Sequence, residues 1–224
     1  MSSKPPTAPF ETFQAVDSLP FVRGYFIQRI PGLDVKTDRE TAMALLKDTH
    51  RATIDGLGFS GMALATCTQV HGNAVARVST ASTFPVQDCD SLVTTDPGVC
   101  LGIYVADCAA VYIIDRHGRG IALAHSGRKG TELGIVPNTI TALKEATGAE
   151  SADLVLQISP CIRPPHYEVD FAAMIRAQAA EWGILEINDC GTCTASDRQS
   201  YYSYRREKGE TGRLLAILGF SSAR

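Results

Sequence analysis

The sequence predicts an α+β fold, a single domain of mixed β-sheets flanked by helices. Three observations lead there. Short apolar runs separated by turn signals crowd the stretch from Met62 to Ala124, the spacing expected of several short strands. Helical patterns are confined to a few separate segments. No internal repeat and no linker divides the 224 residues, a length that one core can serve.

The elements follow in order. Residues 1–19, opened by a Pro- and Ser-rich stretch, read as a loose N-terminal segment, and residues 20–224 as the domain. Pro20–Ile30 reads as a strand. Thr37-Asp-Arg-Glu40 has the form of a capping box that opens a helix running toward Gly56. Strands are expected around Met62–Val70, Ala74–Val78, Ser91–Thr94, Leu101–Val105, Val111–Ile114 and Gly120–Ala124. The turn signals between them include His71-Gly-Asn, Asp96-Pro-Gly and Arg116-His-Gly-Arg. Thr131–Thr147 is patterned as a helix and stops at Gly148. Asp153–Ile158 reads as a strand, Val169–Trp182 as an amphipathic helix and Arg213–Phe220 as a final strand.

Composition excludes several functions. A hydrophobic fraction of 45% and a charged fraction of 20% are ordinary globular values. The formal net charge is −3 with scattered Lys and Arg, which is unlike the basic stripe of a nucleic-acid binder. No apolar run is long enough to cross a bilayer. The start, MSSKPPTAPFETF, lacks the apolar segment of a secretory signal, so the expected location is the cytoplasm. Seven cysteines, an odd number, suit a reducing compartment better than a disulfide framework. Cys67, Cys89 and Cys100 lie in or beside apolar runs and are expected in the core. Cys190-Gly-Thr-Cys193 is a lone C-x-x-C, and a redox or metal role for it stays open.

Three strand ends carry reactive side chains: Thr68-Gln-Val-His71-Gly, Ala106-Asp-Cys108 and Ala124-His125-Ser-Gly-Arg-Lys-Gly130. Each projects from the end of an apolar run into a loop region, where function is commonly mounted. Imidazole and thiolate suit zinc, and His71, Cys108 and His125 together leave one tetrahedral position open, as catalytic zinc requires. Asp107, beside Cys108, is placed to orient a ligand or relay a proton. By residue type alone the alternative stands, since a histidine at a strand end often simply makes a hydrogen bond. Ser126-Gly-Arg-Lys-Gly130-Thr131 reads as a turn into a helix, with Arg128 and Lys129 beside free N–H groups. That arrangement suits an anion, phosphate especially; a Gly-rich turn with solvated cations is the equal alternative.

Several motifs occur in order: Gln69-Val-His71-Gly, Asp88-Cys-Asp90-Ser-Leu-Val-Thr94, Ala106-Asp-Cys108, His125-Ser-Gly, Ser159-Pro-Cys-Ile162 with Tyr167-Glu-Val169, and Ser203-Tyr-Arg-Arg206 closing with Gly212-Arg213. Together they resemble the laccase-domain family, also called the multicopper polyphenol oxidase or purine nucleoside phosphorylase family. The resemblance spans residues 20–220. It implies one Zn2+ per chain at His71, Cys108 and His125, phosphorolysis of purine nucleosides, and adenosine deamination as a companion activity. The fold it implies resembles the catalytic domain of cytotoxic necrotising factors. Arg51 matches a family Arg and is expected to complete the phosphate site with Arg128 and Lys129. Asp107 and Asp90 are the carboxylates expected to move protons, while Tyr204 and Arg205 have only a generic claim on the pocket. The expected partners are a purine nucleoside and phosphate, with neither nucleic acid nor membrane.

The chain departs from the family pattern in its N-terminal segment, where the family's Gly, Ser and Asn-Leu motifs are missing, and at two places further on. Where the family reads H-A-G-W-R-G, this sequence has His125-Ser-Gly-Arg128-Lys129-Gly130, and where it reads A-D-C-x-P, Ala109-Ala110 follow Cys108. An aromatic wall is lost and a bidentate Arg becomes a point charge. Three rival readings follow: a copper polyphenol oxidase, although five histidines are few for a multicopper cluster; a cysteine hydrolase with Cys108 as nucleophile and His125 as base; and a non-catalytic zinc-binding member.

Overall fold

The computed structural model describes residues 7–221, and residues 1–6 and 222–224 lie outside the described residues. Two sheets pack face to face, with helices on the outer face of the second. The first sheet takes β1 (Phe10–Glu11), β2 (Val22–Ile27), β11 (Leu214–Phe220), β6 (Val99–Val105) and β3 (Ala63–Ala65) in that order. The second takes β10 (Glu186–Asp189), β9 (Leu154–Ile158), β7 (Ala109–Asp115), β8 (Ile121–Ser126), β5 (Ser91–Thr94) and β4 (Val75–Arg77). Both sheets are mixed: β3 runs parallel to β6, β4 to β5 and β10 to β9, while the remaining pairs are antiparallel.

The period-two alternation of β7 divides the core. Ala110, Tyr112 and Ile114 face the first sheet, and Ala109, Val111 and Ile113 face the helices. Because both faces are covered, the strand reads as a continuous apolar run rather than an alternating one. Ile121 and Leu123 of β8 likewise face the sheet-on-sheet core, while Ala122 and Ala124 face α4 (Ile135–Thr147) and α5 (Phe171–Glu181). His125 continues the row of Ile121 and Leu123, at the point where the sandwich opens. No described helix is long and apolar enough to cross a membrane.

Four local expectations are corrected. Residues 10–17 are not loose: Phe10 and Glu11 pair with β2, and Gln14–Asp17 forms a helical turn, α1, that buries Val16 beside buried Phe13. Local composition did not show those two anchors. The cap of α2 (Arg39–Ile54) is Asp38, whose carboxylate accepts from Thr41 N at 3.0 Å; Thr37 instead donates to Asp38. The helix expected from Thr131 is two helices, α3 (Arg128–Glu132) and α4, broken where Gly134 takes φ 82°, a conformation glycine adopts without strain. The strand expected over Met62–Val70 shrinks to Ala63–Ala65, because the following residues leave the sheet to carry His71.

Candidate metal centre and its cleft

His71, Cys108 and His125 come together from three separate segments, with one potential ligand atom from each lying within 4.8 Å of the other two. His125 is the last residue but one of β8 and is buried; Cys108 sits in the turn between β6 and β7; His71 is exposed on the loop between β3 and β4. Among the described residues, no second group of three or more such side chains converges.

Asp90 organises two of the three. Its Oδ1 lies 2.7 Å from His125 Nδ1, which leaves Nε2 for the cluster. The same carboxylate accepts from the backbone N–H groups of Val70, His71 and Gly72 at 3.2, 3.0 and 2.7 Å. One buried side chain therefore sets both the imidazole of β8 and the loop that bears the other imidazole. Burial alone would raise the Asp90 carboxyl, but its bonds to His125 and the backbone hold it below its ordinary value.

Charge at the cluster is strongly coupled. Burial raises the Cys108 thiol, but the His125 charge and hydrogen bonds from both histidines outweigh it and bring the thiol down to about 6. Burial lowers His125, but the Cys108 sulfur and Asp90 outweigh it and lift the imidazole to about 9. The metal-free centre is therefore a thiolate beside an imidazolium. The backbone is shaped to the same end. A Cβ on Gly127 would lie 2.4 Å from Cys108 Sγ, so only glycine admits the sulfur. His71, Asp107 and Lys208, all lining the cleft, have positive φ values of 59°, 84° and 53°. Such strained positions concentrate at functional sites. Two imidazoles and a thiolate, one imidazole already anchored by a carboxylate, fit a tetrahedral metal with an open position.

The centre lies in a cleft of about 1080 Å³. Tyr167, Phe171 and Tyr204 give it aromatic walls. Arg39, Lys129, Lys208 and Arg213 line it without a carboxylate partner within 4 Å among the described residues. Burial and the charge of neighbouring Arg39 push the Arg213 guanidinium down. Arg39 and Arg213 thus lie close together in the cleft, and the nearby Tyr204, Cys108 and Asp107 offset part of their repulsion.

The other sequence-predicted residues fall as follows. Arg128 and Lys129 line the cleft, but inside the five-residue α3 rather than ahead of a long helix, and Arg128 is tied to Glu132 at 2.9 Å. They are the first two residues of that short helix, whose N-cap Gly127 makes no side-chain cap hydrogen bond. Arg51 lies away from the cleft, lines a different cavity and pairs with Asp55 at 3.1 Å. Asp107 lines the cleft, yet its two oxygens accept from Thr194 Oγ1 and Arg205 N, each at 2.7 Å, so it ties down two loops. Asp90 stands behind His125. Neither carboxylate is free to carry protons without giving up these bonds. Tyr204 and Arg205 do border the cleft, with Arg205 above the Tyr167 ring at 5.5 Å. Sequence reading missed Arg39, 32 positions before His71, and passed over Arg213 as a bare motif residue; no local pattern marks either as a residue of the cleft. Cys67, Cys89 and Cys100 are buried as expected. Burial pushes the Cys190 thiol up, away from the nucleophilic form, and Cys193 Sγ lies 3.6 Å from His166 Nδ1.

The class the fold defines is a two-sheet α+β domain that carries at its open end a His/Cys/His cluster able to hold a metal ion. The chain belongs to the family described as multi-copper polyphenol oxidoreductase laccase, which matches residues 31–171 and 168–221. A purine nucleoside phosphorylase of Deinococcus radiodurans is 33% identical over 187 residues, 73% of this chain and 72% of its own length. Another, from Streptomyces coelicolor, is 30% identical over 177 residues, 67% of this chain and 72% of its own. In fold, the chain is similar to YlmD from Geobacillus stearothermophilus, with a TM-score of 0.81 at 21% identity over 91% of this chain and 93% of that one.

Proposed function

We propose that the protein is a zinc-dependent purine nucleoside phosphorylase with a companion adenosine deaminase activity. The observation that carries this reading is the placement of the His71, Cys108 and His125 cluster in the same cleft as Arg39, Arg213 and Lys129 and the rings of Tyr167, Phe171 and Tyr204. The named relatives point to the same substrates.

His71, Cys108 and His125 would hold the metal, and when bound it supplies Lewis acidity for activating water in the deamination. Asp90 keeps the His125 Nδ1 proton in place and so orients the other nitrogen toward the centre. In phosphorolysis, a phosphate oxygen bonds to the ribose carbon as its bond to the purine nitrogen breaks, and the electron pair leaves with the base. Arg39, Arg213 and Lys129 hold the phosphate and stabilise the positive charge that develops on the sugar through that bound anion. Arg128 and Arg205, each near Glu168, shape the rim. The aromatic side chains take the flat face of the base. Asp107 fixes the loop bearing Arg205 and acts by positioning.

Metal analysis with a nucleoside panel tests the reading. About one zinc per chain and phosphate-dependent release of hypoxanthine from inosine are expected. Metal-replete protein that turns over no nucleoside would refute it. One geometric observation favours a second reading: Cys108, His125 and Asp90 are also in line as nucleophile, base and orienting carboxylate. A cysteine hydrolase would keep its activity in chelator and trap an acyl adduct on Cys108. A multicopper oxidase fits less well, because only His71 and His125 of the five histidines share a metal-binding cluster among the described residues.

A further inference from the structure

One wall of the main cleft is a turn-rich segment between Ser203 and Thr211, which brings Tyr204, Arg205, Lys208 and Gly209 to the space beside the cluster. The segment contains no helix or strand. Ser203 and Thr211 at its base are buried, whereas Tyr204, Arg205 and Arg206 are exposed. A surface loop of this kind keeps one shape only where its two ends are tied together.

Glu207 makes that tie from outside the cleft. Its Oε2 accepts from Ser203 N at 3.0 Å and from Thr211 Oγ1 at 2.5 Å, one on each side of the base. Its Oε1 accepts from Arg29 Nη2 at 2.6 Å. Arg29 in turn donates through Nε and Nη2 to Tyr201 O, each at 3.2 Å, and lies 4.3 Å over the Tyr202 ring. The two charged side chains are 19% and 17% exposed, so water screens the pair less than it would on an open surface. Burial by itself would raise the Glu207 carboxyl, but Arg29, the Thr211 hydroxyl and Ser203 N–H hold it below its ordinary value. Neither Arg29 nor Glu207 borders the cleft.

We propose, resting on the reading of this cleft as a purine nucleoside site, that Glu207 paired with Arg29 is a positioning residue for substrate binding. It sets the wall that carries Tyr204 and Lys208 without touching the substrate. All three of its partners are donors, so only an ionised carboxylate satisfies them; an amide would turn its own N–H against one of them. The effect is on affinity. The loop supplies an aromatic ring and cations, and none of the cluster's ligands. Arg205 N stays bound to Asp107, and Arg213 lies beyond the base, next to β11. Loosening the loop therefore removes binding common to substrate and transition state.

The test compares zinc-loaded full-length protein with its Glu207→Gln variant by steady-state kinetics on inosine and by trypsin, which cuts after the exposed Arg205, Arg206 and Lys208. Glu207→Gln should raise the inosine KM about tenfold, with kcat and zinc content within about twofold. It should also be nicked in the loop about tenfold faster. Inosine without phosphate should slow the nicking of the wild type. Arg29→Lys keeps the charge but loses the planar fork, and should raise KM about threefold. The Arg29→Gln, Glu207→Gln double variant should lose less than the product of the two single losses, because the two residues act as a pair. Faster nicking with an unchanged KM would overturn the inference, because the loop would then not bear on the substrate. So would a parallel fall in kcat and zinc, which would assign Glu207 to the support of the metal centre. Zinc-loaded wild type without turnover would refute the phosphorylase reading, and nicking then decides: protection by inosine in the wild type, weakened in Glu207→Gln, supports the inference, and no protection overturns it.

Discussion

Two histidines of this protein are equally hidden, His50 at 2% exposure and His125 at 3%, and their surroundings treat them in opposite ways. His125 has Asp90 on one nitrogen and Cys108 near the other, and is lifted to about 9. His50 has a ring beside it and no polar partner, and is pushed to about 4. The same burial thus yields a cation in one place and a neutral base in the other. What decides is whether a carboxylate or thiolate was buried with the ring. The first arrangement offers what a metal ion would need, a thiol that deprotonates readily and an oriented imidazole. The second leaves a neutral ring held by packing alone.

The comparison can be broken most severely at Cys108. Cys108→Ser replaces the thiolate with a hydroxyl that binds zinc poorly at neutral pH. The metal content should fall from about one per chain to a trace, with loss of nucleoside turnover, by elemental analysis and steady-state kinetics. Full metal retention would show that the cluster is not the binding site. Next in size is Asp90→Ala, which frees the His125 ring and three backbone N–H groups. Metal affinity should drop about 10–100-fold by competition with a chelating dye.

The pH dependence sharpens the contrast. A metal needs His125 neutral, and that imidazole holds its proton up to about 9. Binding below pH 9 must therefore displace it, and affinity should fall about tenfold per pH unit on going down. Below about 6 the Cys108 thiol is also protonated, and the slope should steepen to about two protons. A flat profile between pH 6 and 9 would contradict the thiolate–imidazolium pair. Gly127→Ala comes next. A methyl group 2.4 Å from Cys108 Sγ must displace the sulfur, costing about tenfold in metal affinity while the fold is retained. The smallest effect is expected at Lys129, an exposed point charge. Lys129→Ala should raise the phosphate KM about three- to tenfold and change adenosine deamination less. Equal losses in both reactions would assign the loop to the fold instead.

Much of this protein was legible before folding. Strand positions at β5, β7, β8 and β11 follow from runs of apolar residues bounded by turns, since burial on both faces leaves little choice of residue. His71, Cys108 and His125 stood out because each ends an apolar run with a side chain that no core requires. The N-terminal anchors Phe13 and Val16 and the short strands β1 and β10 were not legible. Their few residues carry no periodicity, and only the neighbouring strands make them strands.

What the residues alone determined is chemistry: a thiol and two imidazoles at strand ends, a basic loop after β8, and a family pattern that binds them into one reading. Tertiary structure decided which groups meet. It set Asp90 behind His125, although 35 positions separate them, and brought Arg39 from the start of α2 to Arg213 at the start of β11. It also sent Arg51 to the opposite side of Tyr104 and used the Asp107 carboxylate to tie loops. A linear sequence states which side chains exist, but electrostatic and hydrogen-bond energies depend on separations of a few ångströms. Those separations are set by how the two sheets and the helices pack across the chain.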